Sequence, residues 1–146
     1  MRYFFLALSV GISMAFSWSA STAAEIRGLD NKCLDVSGGG SGDGTPLILW
    51  PCHGGDNQRW AVVPPGLIRG IEGKCLDVSG GNAADGTPII LWSCHGQANQ
   101  QWTVINGEIH GLNNKCLDVS GGNPADGTPI ILWTCHDSDN QKWIVQ

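Results

Sequence analysis

Three aspartates, three tryptophans and three asparagines recur at one spacing along the chain. Asp35, Asp77 and Asp118 each stand between a Leu and a Val, and Trp50, Trp92 and Trp133 follow them by fifteen residues. Asn57, Asn99 and Asn140 come seven residues after those tryptophans. An indole offers a wide, rigid apolar surface on which the C–H face of a pyranose can stack. An ionised carboxylate accepts charge-assisted hydrogen bonds from two adjacent hydroxyls, and a carboxamide both donates and accepts. Together they form a polar jaw opposite an aromatic floor, chemistry suited to a polyhydroxylated ring. The plainer alternative is that each Asp only keeps a strand edge soluble.

The same residues speak against catalysis. Hydrolysis of a glycosidic bond uses two carboxylates roughly 5 to 10 Å apart, and each repeat offers one Asp of this kind. A second acid in each repeat, Asp43, Asp85 or Asp126, opens an Asp-Gly-Thr-Pro turn and reads as structural. A metal centre is also disfavoured. Cys52-His53, Cys94-His95 and Cys135-His136 are adjacent pairs, which an extended strand would point to opposite faces, and the chain has no CxxC or HxxxH spacing. No metal or other cofactor is expected.

The elements that must position these groups are repeats. Ile26 to Trp60, Ile68 to Trp102 and Ile109 to Trp143 align without a gap, at a period of 41 or 42 residues. Within the first unit, short strand-like runs lie around Ile26, at Cys33 to Val36, at Leu47 to Trp50 and at Trp60 to Val63. Gly-rich and Pro-rich turns separate them, and no window sustains a helical period. About four strands per unit, three times over, predicts an all-β domain of about twelve strands; three units are too few for a propeller of roughly four to eight blades. If Leu49 and Cys52 face inward, then Ile48, Trp50 and Pro51 cannot all do so, which turns Trp50 and its equivalents toward the surface. Trp60, Trp102 and Trp143 close the units and are expected in the core.

The first 24 residues read as a secretory signal peptide: Arg2, an apolar run from Tyr3 to Phe16, and small residues before cleavage near Ala23 or Ala24. That run is shorter than the roughly 20 residues of a spanning helix, so no membrane span is expected. The remaining 25–146 form one domain, with repeats at about 25–66, 67–107 and 108–146. Without Arg2 the formal charge of −5 becomes −6, which disfavours nucleic acid as a partner. Export and an even number of cysteines, six, point to disulfides in an oxidising compartment.

Cys-Leu-Asp-Val, Gly-Thr-Pro, Leu-Trp-x-Cys and a closing Asn-Gln-x-Trp (the QxW motif) stand in every unit, and over residues 26 to 146 the chain resembles ricin-B lectins. The units are likewise similar to family 13 carbohydrate-binding modules. The resemblance implies a β-trefoil of three roughly 40-residue repeats with pseudo-threefold symmetry, and glycans as partners, whether galactosides or plant polysaccharides such as xylan. It implies a binding role for Asp35, Trp50, Asn57 and Gln58, for Asp77, Trp92, Asn99 and Gln100, and for Asp118, Trp133, Asn140 and Gln141. Gln58, Gln100 and Gln141 equally fit a role behind the site, orienting the Asp. His53, His95 and His136 match a position that contacts sugar in some xylan-binding relatives. Cys33 with Cys52, Cys75 with Cys94 and Cys116 with Cys135, all nineteen apart, is the pairing that respects the repeat and that the family uses. The sequence departs from the pattern at Ile48, Ile90 and Ile131, where many relatives carry Gln. The rival class is a protein-binding trefoil such as a protease inhibitor, which would work through one distinctive loop; here the three loops are near copies. The oligomeric state is left open.

Overall fold

The computed structural model describes residues 22–146, so the expected signal peptide lies almost wholly outside the described residues. Twelve strands follow one another with short 3₁₀ turns between them, and there is no α-helix among the described residues. In the first unit these are β1 (Ile26–Arg27), β2 (Cys33–Val36), β3 (Leu47–Trp50) and β4 (Ala61–Val63). The second has β5 (Leu67–Arg69), β6 (Cys75–Val78), β7 (Thr87–Trp92) and β8 (Thr103–Ile105). The third has β9 (Glu108–His110), β10 (Cys116–Val119), β11 (Ile130–Trp133) and β12 (Ile144–Val145).

Two kinds of pairing build the molecule. Last strands pair with first strands of the next unit, β4 with β5 and β8 with β9, and β12 returns to β1 so that the chain closes on itself. The second and third strands of each unit form a hairpin, β2–β3, β6–β7 and β10–β11. The third strands then meet one another: Ile131 and Leu132 face Pro88 and Thr87, Pro46 bridges to Ile90, and Ile48 bridges to Pro129. Three four-stranded units joined in a cycle are the β-trefoil arrangement. β7 is longer than β3 and β11 because Thr87 and Pro88 are drawn into that central pairing.

The hairpin register decides which side chains face the core. Leu34 pairs with Leu49 and Val36 with Leu47, and all four are buried in the central cluster. Between them, Cys33 pairs with Trp50 and Asp35 with Ile48 on the opposite face, as period-two alternation requires. Trp60, Trp102 and Trp143 are buried as expected, and each indole N–H donates 3.0 Å to the carbonyl of Leu34, Leu76 or Leu117. Their rings lie on glycines of the following unit. A Cβ on Gly70 would sit 2.5 Å from Trp60, one on Gly111 2.5 Å from Trp102, and one on Gly28 2.6 Å from Trp143. Only Gly allows that approach.

Cys33–Cys52, Cys75–Cys94 and Cys116–Cys135 are disulfides, each spanning 5.1 Å between Cα atoms. Each fastens the start of a hairpin's first strand to the loop leaving the hairpin. Cys52 lies in that loop and is only partly buried, so the inward placement considered from strand alternation does not extend beyond Trp50.

Candidate functional site

Register brings the widely spaced residues together. Trp50 is paired with Cys33, and Asp35, two residues further along β2, lies on the same face. The fifteen-residue spacing is therefore the length of one hairpin excursion. The same geometry recurs for Asp77 with Trp92 and Asp118 with Trp133. The three indoles are 40 to 41% exposed, unusual for so large an apolar side chain, whereas the carboxylates beside them are only 2 to 3% exposed. The pairs of the first and third units each open onto a cleft of about 460 Å³.

The carboxylate is held by groups arriving from the loop after the third strand. Gln58 Nε2 donates to Asp35 Oδ2 at 2.7 Å and to the Pro51 carbonyl at 3.0 Å, while its Oε1 accepts the His53 backbone N–H at 2.8 Å. Gln100 and Gln141 repeat this on Asp77 and Asp118. All three glutamines are 0% exposed, with every polar atom of the side chain engaged. Each glutamine thus ties its Asp to the loop that follows the third strand. Asn57, Asn99 and Asn140 anchor through Nδ2 to the carbonyls of Val36, Val78 and Val119 at 3.1 to 3.2 Å; Asn99 Nδ2 also donates to Asp77 Oδ2 at 3.2 Å, and Asn57 and Asn140 line the clefts of the first and third units.

His53, His95 and His136 lie in loops, not on strands, so the alternation argument does not govern them. Each swings over its Asp, with Nε2 3.4, 3.5 and 3.4 Å from Oδ2. Backbone N–H groups of Gly55, Gln97 and Ser138 point at Nδ1, which places the neutral ring's proton on Nε2, facing the carboxylate. The sulfurs beside these loops are oxidised, so the grouping of Glu108, His110, Cys116 and Cys135 offers no thiolate to a metal.

Burial pushes the carboxyl groups of Asp35, Asp77 and Asp118 above the ordinary value of 3.8; the glutamine hydrogen bond and then the histidine pull the other way without cancelling it. In the first site the Gln58 hydrogen bond and the His53 contact both fall on Oδ2 of the Asp35 carboxylate. Asp35, Asn57 and Trp50 all line the same cleft. The arrangement can accept two hydroxyl protons while an apolar ring face stacks on Trp50.

Two groups of lining residues were not singled out from sequence as site residues. Ser37, Gly38 and Gly39 wall the first cleft, and Ser120, Gly121 and Gly122 the third. Both glycines of each pair have positive φ, 63 to 68°, which keeps side chains out of the cleft. Their invariance across the three units, Val-Ser-Gly-Gly each time, was the available signal. Ile48 and Ile131, noted only as departures from the resemblance, form an apolar wall between Asp and Trp.

A family model described as the ricin-type beta-trefoil lectin domain matches residues 22–143, and the chain belongs to that family. Among solved structures, a designed 3-fold symmetric protein, ThreeFoil, superposes with a TM-score of 0.80 at 30% identity, covering 84% of this chain and 96% of the other. The C-half of the earthworm R-type lectin, crystallised in complex with GalNAc, has a TM-score of 0.76 at 25% identity and covers 86% of this chain and 98% of that one. A curated protein, "Probable lipoprotein EnvE" of Salmonella typhimurium, is 62% identical over 29 residues, 20% of this chain and only 17% of that protein's length. As a ricin-type lectin domain with neighbours that hold sugars, the fold and family define a carbohydrate-binding protein.

Proposed function

We propose that this chain is a secreted lectin with three sugar sites, one in each unit, that binds without chemical conversion. The reading rests on one observation made three times: a nearly buried carboxylate with its neighbouring carboxamide, set beside a half-exposed indole. Asp35, Asp77 and Asp118 accept hydroxyl protons, Trp50, Trp92 and Trp133 stack on the ring, and Asn57, Asn99 and Asn140 take a third contact. His53, His95 and His136 close one side. Galactose-type sugars are the first expectation, supported by the GalNAc complex of the earthworm lectin. The apolar wall of Ile48, Ile90 and Ile131 favours a face of the sugar that carries few hydroxyls.

Secretion is supported by three disulfides and by the leader read from the sequence. No helix among the described residues is long and apolar enough to cross a membrane.

A glycan array probed with the oxidised mature chain, beside a variant carrying Asp35→Ala, Asp77→Ala and Asp118→Ala, tests the reading. Galactoside binding that disappears in the folded variant is the expected result. Binding to no glycan at all overturns it in favour of a protein-binding trefoil.

A further inference from the structure

Each platform indole is bracketed by the repeat that precedes its own. The residue before Trp92 exchanges backbone hydrogen bonds with the Asp-Gly-Thr-Pro turn of the first unit: Gly44 N–H donates to the Leu91 carbonyl at 2.8 Å, and Leu91 N–H donates to the Thr45 carbonyl at 2.9 Å. The residue after it is held by the same turn's carboxylate. Asp43 accepts the Ser93 backbone N–H at 2.9 Å and the Ser93 hydroxyl at 2.9 and 3.0 Å, and pairs with Lys74 at 3.0 Å. Gly44 also lies under the indole edge, where a Cβ would come 3.8 Å from Trp92 Cζ3.

The second junction repeats the first. Asp85 accepts the Thr134 N–H and hydroxyl at 2.8 to 3.0 Å and pairs with Lys115 at 2.9 Å, and Gly86 underlies Trp133. The third junction keeps Gly127 under Trp50 and the ion pair of Asp126 with Lys32 at 2.7 Å. It also keeps the backbone exchange, Gly127 N–H donating to the Leu49 carbonyl at 2.8 Å and Leu49 N–H to the Thr128 carbonyl at 2.9 Å. Only the carboxylate's hold on the residue after the indole is missing, because that residue is Pro51, with neither an N–H nor a hydroxyl.

We propose that Asp43 and Asp85 are positioning residues for the sugar platforms Trp92 and Trp133 of the following repeat, and that Pro51 leaves the Trp50 platform without this clamp. The sugar part of the proposal rests on the lectin reading above; the positioning part does not. Each carboxylate acts through the backbone and hydroxyl of the residue next to the indole, fixing the strand end from which the ring projects. The first and second turns thus serve their neighbours' sites, and the three sites differ in rigidity although their lining residues match.

The test is ¹⁵N relaxation of the indole N–H signals of the oxidised mature chain, assigned by single Trp→Phe variants, followed by titration with methyl α-galactoside. In Asp43→Ala, the Trp92 signal gains motion and its apparent affinity falls about threefold to tenfold, as expected for loss of a charged hydrogen bond near the surface. Trp50 and Trp133 stay as in the parent. Asp43→Asn, which retains an acceptor for the Ser93 N–H, restores most of the rigidity. Pro51→Ser supplies Asp126 with its missing partner and quiets the Trp50 signal. An unchanged Trp92 in Asp43→Ala, or equal loosening of all three indoles, overturns the proposal. If no parent signal moves with the galactoside, binding of that sugar fails, and the relaxation data alone decide the positioning role.

Discussion

The carboxylates of Asp35, Asp77 and Asp118 carry an internal tension under the proposed function. Burial raises their pKa, so folding would be easier with them neutral, while accepting two hydroxyl protons requires them ionised. Protonation is favoured by the fold between 3.8 and the raised value, so stability declines as pH rises through that window and is flat above it. Sugar binding through these carboxylates should have the opposite dependence, full above the raised pKa and fading on acidification before an ordinary Asp would titrate. Affinity measured from pH 7 to 4 should show this midpoint above 3.8. Asp77→Asn, which keeps a polar atom for Gln100, should remain as stable as the parent in denaturant melts and lose binding at its own site by about tenfold or more. Gln100→Ala should behave differently. It strips the carboxylate and the His95 backbone N–H of a partner at once, costing about 1 to 3 kcal/mol in a urea melt as well as affinity.

At the scale of elements, the hairpins and the repeat junctions are separate devices. A hairpin sets Asp and Trp on one face by register; a junction seats one unit's closing Trp on the next unit's glycine. Gly70→Ala should therefore destabilise by about 1 to 3 kcal/mol through overpacking against Trp60, read as a lowered denaturation midpoint, and leave sugar affinity unchanged below the transition. The hairpins were legible in the sequence, since alternation in Cys-Leu-Asp-Val and in Leu-Ile-Leu-Trp, combined with the repeat, predicts both strands and the outward Trp. The junctions were not. Gly28, Gly70 and Gly111 look like ordinary turn residues until the neighbouring unit's indole is placed on them. The bonds from Asp43 to Ser93 and from Asp85 to Thr134 join residues about fifty positions apart that no local pattern links. Gln58, Gln100 and Gln141 were ambiguous for a related reason, because a motif shows that a side chain is close to a site and not on which side of the carboxylate it stands.

The whole molecule is a closed cycle of three units, each stapled by one disulfide. The core is built largely from the alternate hairpin residues and three indoles, and the chain is rich in glycine, so the staples carry much of its stability. Each contributes about 3 kcal/mol in the chain-entropy picture, and reduction with a thiol should collapse the thermal transition. The three proposed sites, carried on one closed domain, would confer avidity. A single site that binds a simple sugar weakly should, on a dense glycan surface, gain about 10² to 10⁴ in apparent affinity, which surface plasmon resonance at high and low ligand density would compare directly. The central claim is that sugar sits between each Asp and its indole. Crystals of the oxidised mature chain soaked in the glycan selected by the array decide this: a pyranose stacked on Trp50, Trp92 or Trp133 with hydroxyls on the paired Asp is expected, and sugar bound elsewhere with no density beside these indoles would overturn it.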